Sequence, residues 1–415
     1  MYIQRKIHPE IRKHLVRKEF TIITGPRQSG KTSLIQDLYR ELRNENKTVD
    51  YITLEDRDIL SAINIHPEEI FSFVRRPVKS LDGTPKGAER VFLLIDEVQY
   101  AADPSNFLKY LYDVYGENLK VIATGSSAFY IDSKFKDSLA GRKRIFELKT
   151  LSFDEWLLFR GYRSLLDELN QIRGRSEYIS PNYRQLLQSF NEYLVYGGYP
   201  SIVLENDKAE KVLLLKELKN AFLKKDIDEA GIANPEKFYL LLVLLAGQTG
   251  NLVNKNELAN TIGVDNKTVD KYIYVLQNCF HIGLVKPFYV NHRKELTKMP
   301  KVFFKDCGMR NIVLNRLFDF KDRGDQGQLI ENYVFNRLTE IYDKDMIRFW
   351  RTTDKQEVDF IVSTSSNEGL ALEVKLKCPG AKPAGNKKFI ECYPDFQFRI
   401  ISYALDKGCN WILKL

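Results

Sequence analysis

Apolar and polar positions follow two rhythms along this chain. Residues 20–24, 49–54, 91–95 and 119–123 are short, largely apolar runs. Runs of that length and character suit strands buried on both faces of a parallel sheet. Residues 33–44 read as a helix after the first of them. Nearer the start, Ile7, Ile11 and Leu15 fall one helical turn apart among Arg5, Lys6, Arg12, Lys13, Arg17 and Lys18. That pattern predicts an amphipathic helix with a solvated basic face. Residues 75–90 are polar, with Pro77, Asp82-Gly83 and Pro85-Lys86-Gly87, and read as a loop. Residues 153–230 read as mostly helical, interrupted by the turn Tyr196-Gly197-Gly198-Tyr199-Pro200.

The pattern changes again in the C-terminal half. Phe238–Ala246 is an apolar helix, 256–263 a short helix ending at Gly263, and 266–276 a helix capped by Asp265. Residues 284–290 and 301–305 read as a hairpin. Helix, glycine turn, helix and hairpin together predict a helix-turn-helix arrangement with a wing. Beyond it come a helix at 329–338, a strand at 347–351, and a hairpin of 357–362 with 370–375. The expected fold class is α/β multidomain: a phosphate-loop core over 1–155, a helical lid over 156–232, a winged helix over 233–315 and a terminal α/β domain over 316–415.

The first strand runs into Gly25-Pro26-Arg27-Gln28-Ser29-Gly30-Lys31-Thr32, followed by Ser33. The spacing G-x-x-x-x-G-K-T between a strand and a helix is that of a loop that cradles phosphates. Two glycines let successive backbone amides turn toward one anion. The helix start adds the positive end of its dipole. Lys31 is placed to reach the β- and γ-phosphates of ATP, and the Thr32 hydroxyl to ligate Mg2+.

The third apolar run ends in Asp96 and Glu97. Carboxylates at the end of a parallel strand stand at the same sheet edge as the phosphate loop. Asp96 is the candidate metal ligand and Glu97 the candidate group to orient or deprotonate the attacking water. After the fourth run, Thr124 and Ser126 either sense the γ-phosphate or cap the next helix. Arg142 either reaches a nucleotide, in its own chain or a neighbour's, or is a surface cation.

The last hundred residues hold a second constellation. Glu373 and Lys375 are two apart and share one strand face, and Asp359 can lie beside them from the paired strand. Two carboxylates and a lysine among apolar neighbours are costly to bury without a purpose. Such a set can bind magnesium and a water and cut a phosphodiester; a structural ion network is the other reading. Lys267, Lys271, Arg293 and Lys294 are candidate phosphate contacts for DNA.

Composition narrows the setting. The chain has 415 residues, 44% hydrophobic and 28% charged, as expected of a globular protein of several domains. There is no apolar run of about 18 residues, so no membrane span is expected. The beginning lacks the apolar centre of a signal peptide. Five cysteines without a C-x-x-C pair argue against a disulfide framework or zinc site and for the cytoplasm. The five histidines show no ligand spacing. The net charge of +8 permits a polyanionic partner without demanding one.

Taken in order, Thr24-Gly-Pro-Arg-Gln-Ser-Gly-Lys-Thr-Ser, Leu94-Ile-Asp-Glu-Val-Gln, Ala123-Thr-Gly-Ser-Ser, Leu139-Ala-Gly-Arg, Leu151-Ser-Phe-Asp-Glu-Trp, Tyr196-Gly-Gly-Tyr-Pro and Leu223-Lys-Lys-Asp-Ile resemble a widespread prokaryotic family of AAA-type ATPases. The family's C-terminal half fuses a winged helix to a fold like that of restriction endonucleases. The resemblance implies ATP binding and hydrolysis with Lys31, Thr32, Asp96 and Glu97 in the usual roles. It also implies that Asp359, Glu373 and Lys375 form a D…E-x-K core, with Glu331 as the helix acid and Glu331, Asp359 and Glu373 as metal ligands. DNA, a protein partner and an oligomer are the partners it leaves open.

Overall fold

The computed structural model describes residues 2–79, 90–125, 139–175, 178, 180–288, 298–354, 356–365, 368–379, 386–405 and 408–415. The chain divides into two compact units, Met1–Lys149 with Asn278–Phe280, and Thr150–Gln277 with His281–Leu415.

The first unit is built on five strands, β1 (Phe20–Thr24), β2 (Val49–Thr53), β3 (Val91–Asp96), β4 (Leu119–Gly125) and β5 (Lys143–Glu147), in the order β2-β3-β4-β1-β5. Every pairing is parallel. Successive side chains on a strand point to opposite faces, and the two faces are filled from different helices. Phe20 and Ile22 join a core with residues of the helices Arg57–Ile65 and Pro104–Tyr115. Ile23 joins another with residues of His8–His14 and Lys31–Asn44. All of β1, β3 and β4 is buried, as their largely apolar character leads one to expect, with Lys120 of β4 buried among them. β5 escaped the sequence reading, which placed it in a loop, because Lys143, Arg144 and Ile145 are only half-buried or exposed on this edge strand.

The second unit carries a seven-stranded sheet, with β6 (Ile282–Pro287), β7 (Lys301–Phe304), β8 (Ile347–Arg351), β9 (Glu357–Ser363), β10 (Gly369–Lys375), β11 (Phe396–Ser402) and β12 (Asn410–Trp411) in the order β12-β11-β10-β9-β8-β6-β7. The helices Pro235–Gly247, Lys255–Ile262 and Asn266–Asn278 precede the antiparallel pair β6–β7. Asp265 caps the last of these as its position predicts, accepting the Thr268 N–H at 2.6 Å. β6 also pairs in parallel with β8, so the hairpin continues the terminal sheet across the boundary expected at 315/316. The tip expected to carry Arg293 and Lys294 lies outside the described residues. The helix Phe153–Phe159 opens with a full capping box between Ser152 and Glu155.

One expectation is overturned. Cys378 and Cys409 form a disulfide with Cα atoms 5.9 Å apart, whereas the cysteine count had argued against bridging. No spacing rule connects residues this far apart in sequence. The parallel register β10–β11–β12 brings the chain just after Lys375 beside the chain just before Asn410. Among the described residues no helix is long and apolar enough to cross a membrane.

Candidate functional sites

At the end of β1 the chain turns through Gly25, with φ +152°, and Gly30, with φ +95°. A Cβ on Gly25 would lie 2.2 Å from the Leu148 carbonyl oxygen, so only glycine fits where the loop runs alongside the chain after β5. Gln28 also adopts a left-handed conformation, φ 57°. Lys31 is the first residue of the helix Lys31–Asn44 and is buried. Its Nζ donates to the carbonyls of Gly25 at 3.1 Å and Pro26 at 2.8 Å, folding back over the loop. Burial lowers its pKa to about 8, with Glu97 and Asp96 pulling the other way. Thr32 and Ser33 are exposed in the first helical turn. Among the described residues, the buried hydroxyls of Thr24 and Ser29 have no hydrogen-bond partner.

The sequence reading placed Arg5 on a solvated basic face. The structure buries it against the loop: Nη1 donates to the Ser29 carbonyl and Nη2 to the Lys149 carbonyl, both at 2.8 Å. A guanidinium suits this bridge because its fixed fork serves two acceptors at once.

Asp96 is buried at the tip of β3. Its Oδ1 accepts the Thr124 hydroxyl and its Oδ2 the Tyr51 hydroxyl at 3.3 Å. Thr124 Oγ1 in turn accepts the Glu97 N–H at 3.0 Å. Thr124 therefore ties the two acidic residues together; Ser126 and the segment after it lie outside the described residues. Glu97 is left-handed at φ 56°, a conformation that costs free energy in a non-glycine residue, and the Gln99 amide holds its side chain. β4 separates β1 from β3, so the loop and the carboxylates stand about 10 Å apart at two strand spacings.

Arg142 is not brought to this edge in its own chain. Its carbonyl accepts the Phe20 N–H at 2.8 Å, which places it beside the start of β1. The phosphate loop follows the far end of that strand, about 13 Å away. Arg142 Nε pairs with Asp113 at 2.7 Å.

Residues 17–157 match an AAA domain. Residues 187–319 and 326–409 match two domains of unknown function, DUF8612 and DUF4143. An uncharacterized Haemophilus influenzae protein is 25% identical over 372 residues, covering 86% of this chain and 82% of its own. An uncharacterized Methanocaldococcus jannaschii protein is 27% identical over 379 residues, covering 87% and 76%. AMPPCP-bound DnaA from Aquifex aeolicus aligns at 14% identity and TM-score 0.31, over 66% of this chain and 89% of that one. The AAA match supports an AAA-type ATPase domain and nucleotide binding.

The first unit also contains a group of His8, Asp37 and Glu41. His8 Nε2 lies 3.2 Å from Glu41 and 3.9 Å from Asp37. Arg12 stands 3.6 Å from the same Glu41 carboxylate, so the group reads as an ion network between two helices.

The second unit brings together Glu331, Asp359, Glu373 and Lys375 of the residues singled out in the sequence. Asp359 on β9 accepts the Val374 N–H at 2.8 Å through Oδ2. Lys375 Nζ lies 2.5 Å from Glu373 Oε1 on β10, while the other Glu373 oxygen is buried and forms no hydrogen bond of normal geometry with a described residue, with the Asn386 amide close to the carboxyl group. Burial, followed by the Asp359 charge, raises the Glu373 carboxyl above its ordinary range. Glu331, on the helix Gln326–Ile341, is raised by burial, with Lys301 opposing. Two members were missed. Glu357 lies two residues before Asp359 on the same strand face, and Lys301 opens β7 and is buried at its heart. The available signal for Lys301 was a lysine heading the apolar run Val302-Phe303-Phe304. Lys267 and Lys271 are exposed on the helix Asn266–Asn278, where Lys271 bonds the Gly231 carbonyl at 3.3 Å.

Proposed function

We propose that the protein is a Mg2+-dependent ATPase whose AAA domain drives a C-terminal module that binds and cuts DNA. The observation that carries the ATPase half is the pairing of a glycine-framed loop and buried Lys31 with an Asp96–Thr124–Glu97 relay on the same sheet edge. The amides of residues 25–33 would take the phosphate oxygens, and Lys31 would leave its two carbonyl acceptors for the β- and γ-phosphates. Thr32 and Asp96 fit a magnesium ion, which when bound would neutralise charge on the phosphates. Glu97, held in a fixed backbone conformation, would orient the water that attacks the γ-phosphorus, with ADP leaving.

The helices between residues 235 and 278 with the β6–β7 hairpin support a winged-helix reading, and exposed Lys267 offers a phosphate contact. Asp359, Glu373, Lys375 and Glu331 support a phosphodiesterase reading. The buried Glu373 oxygen suits a metal ligand, and Lys375 is placed to polarise the attacking water. A divalent ion bound there would supply Lewis-acid activation of the phosphodiester. The ion pairs of Lys301 favour a second reading, a silent C-terminal module that serves as a platform for a protein partner.

ATP turnover with and without DNA, beside a nuclease assay on the same preparation, tests both halves. Turnover is expected to rise with DNA and vanish in Lys31→Ala; magnesium-dependent nicking is expected to vanish in Asp359→Ala and Lys375→Ala. Turnover indifferent to DNA, with no nicking, would leave the platform reading.

A further inference from the structure

The C-terminal cluster has two unlike halves. On one side stands Lys301, only 1% exposed. Its Nζ lies 3.1 Å from Glu331 Oε1, 2.5 Å from Glu357 Oε1 and 3.7 Å from Asp359 Oδ1. Burial works against its charge, yet the carboxylates of Glu331, Asp359 and Glu357 outweigh that and raise its pKa. An ammonium ringed by three carboxylate oxygens stands where a cation is required, because buried like charges without a counter-charge are strongly disfavoured. Gly250 walls this half: a Cβ there would lie 2.8 Å from Glu331 Oε2.

The other half is differently furnished. Glu373 Oε1 meets the Lys375 ammonium, whereas Glu373 Oε2 is buried and forms no hydrogen bond of normal geometry with a described residue, though the equally unpaired Asn386 amide stands close to the carboxyl group. Asp359 spans both halves, with Oδ1 toward Lys301 and Oδ2 held by the Val374 N–H. Formal charges point the same way. Four carboxylates face the ammoniums of Lys301 and Lys375 and the Arg351 guanidinium, which lies 3.0 Å from Glu357. With all four ionised, as a bound cation would favour, one net negative charge remains to meet one divalent ion; a second would leave the cluster strongly positive.

Resting on the phosphodiesterase reading above, we propose that this site takes a single divalent cation, magnesium or manganese, at Glu373 and Asp359, and that Lys301 is a built-in counter-ion filling the second cation position beside Glu331 and Glu357. Lys301 acts as a positioning residue. It holds Glu331, Glu357 and the shared Asp359 beside the metal position and removes the need for a second ion.

The test counts bound Mn2+ on the full-length, nucleotide-free protein by the loss of the free-ion electron paramagnetic resonance signal. Asp359→Asn supplies the count for ions bound elsewhere. Wild type is expected to bind one ion more than Asp359→Asn, Lys301→Met two more, and Lys301→Arg one more, as the conservative cation restores the filled position. Two extra ions on wild type, or one on Lys301→Met, would overturn the inference while leaving the phosphodiesterase reading intact. A wild-type count equal to that of Asp359→Asn would overturn both, since the cluster would then hold no metal. Should Lys301→Met fail to fold by circular dichroism, the wild-type count still decides, because two ions on a site filled by Lys301 are incompatible with the proposal.

Discussion

Removing the Arg5 side chain tests whether the phosphate loop is shaped from outside itself. In Arg5→Ala the carbonyls of Ser29 and Lys149 each lose a charged donor at 2.8 Å. A hydrogen bond from a charged group contributes about 1.5–3 kcal/mol, so the pair represents on the order of 3–6 kcal/mol before relaxation and water entry. About half of that recovered by water leaves roughly 1.5–3 kcal/mol, divided between folding of the first unit and the shape of the loop. Ser29 lies inside the loop, directly before Gly30, so its carbonyl orientation sets where the neighbouring amides point. A loss of about 1.4 kcal/mol in binding is tenfold in Kd. Arg5→Ala is therefore expected to weaken MgATP binding by about tenfold or more and to lower the urea midpoint. Arg5→Lys should recover only part of this, because one ammonium cannot serve both carbonyls in the fork geometry. Titration with a fluorescent ATP analogue and urea unfolding on the same samples provide the readings. Wild-type affinity in a folded Arg5→Ala protein would refute the idea that Arg5 shapes the loop, even if the midpoint dropped.

Three further expectations follow from named contacts. Burial holds the Lys31 ammonium at about 8 in the nucleotide-free protein, and bound phosphates would raise it. Above that pH binding must bring in a proton, so the ATP Kd should climb toward tenfold per pH unit. An unfolded lysine titrates near 10.4, so the unfolded chain holds more protons between about pH 8 and that value, and the stability of the nucleotide-free protein should rise across this window. Binding isotherms and urea titrations across pH 7–10 check both signs. Glu97→Gln keeps a side chain able to meet Gln99 and is expected to bind ATP normally but to lose turnover by a hundredfold or more, as general-base losses run to about 10²–10⁴; equal turnover would remove Glu97 from the mechanism. Asp325 binds two buried guanidiniums, accepting from Arg310 and from Arg323, each at 2.8 Å. Asp325→Ala strands both charges and should cost about 3–5 kcal/mol of stability in the second unit, whereas a calorimetric shift within error would contradict that accounting.

How much of this was legible in the sequence depended on how local each signal is. The phosphate loop needed only contiguous residues, since strand, glycine spacing and helix start follow one another within one short stretch. The acid-tipped strand was legible for the same reason. Strand alternation alone placed Glu373 and Lys375 on one face, whereas Asp359 joins them through the β9–β10 register, which the structure supplies. Arg142 could be singled out as a residue type, but not located: the β1–β5 register puts it at the amino edge, and no periodicity shows which strand a loop will start beside.

By itself, then, the sequence determined the elements and the chemistry carried within each of them. Backbone propensity, side-chain period and loop spacing act over a few residues and are written in order along the chain. Tertiary structure alone decided which distant group answers each buried charge. Arg5 braces Ser29, Thr124 ties Asp96 to Glu97, Lys301 enters a cluster built from other strands and a helix, and Cys378 meets Cys409. The physical reason is that a buried polar group must find a partner, but burial does not say from where. That choice is made by strand register and packing, which bring residues together without regard to their distance along the chain.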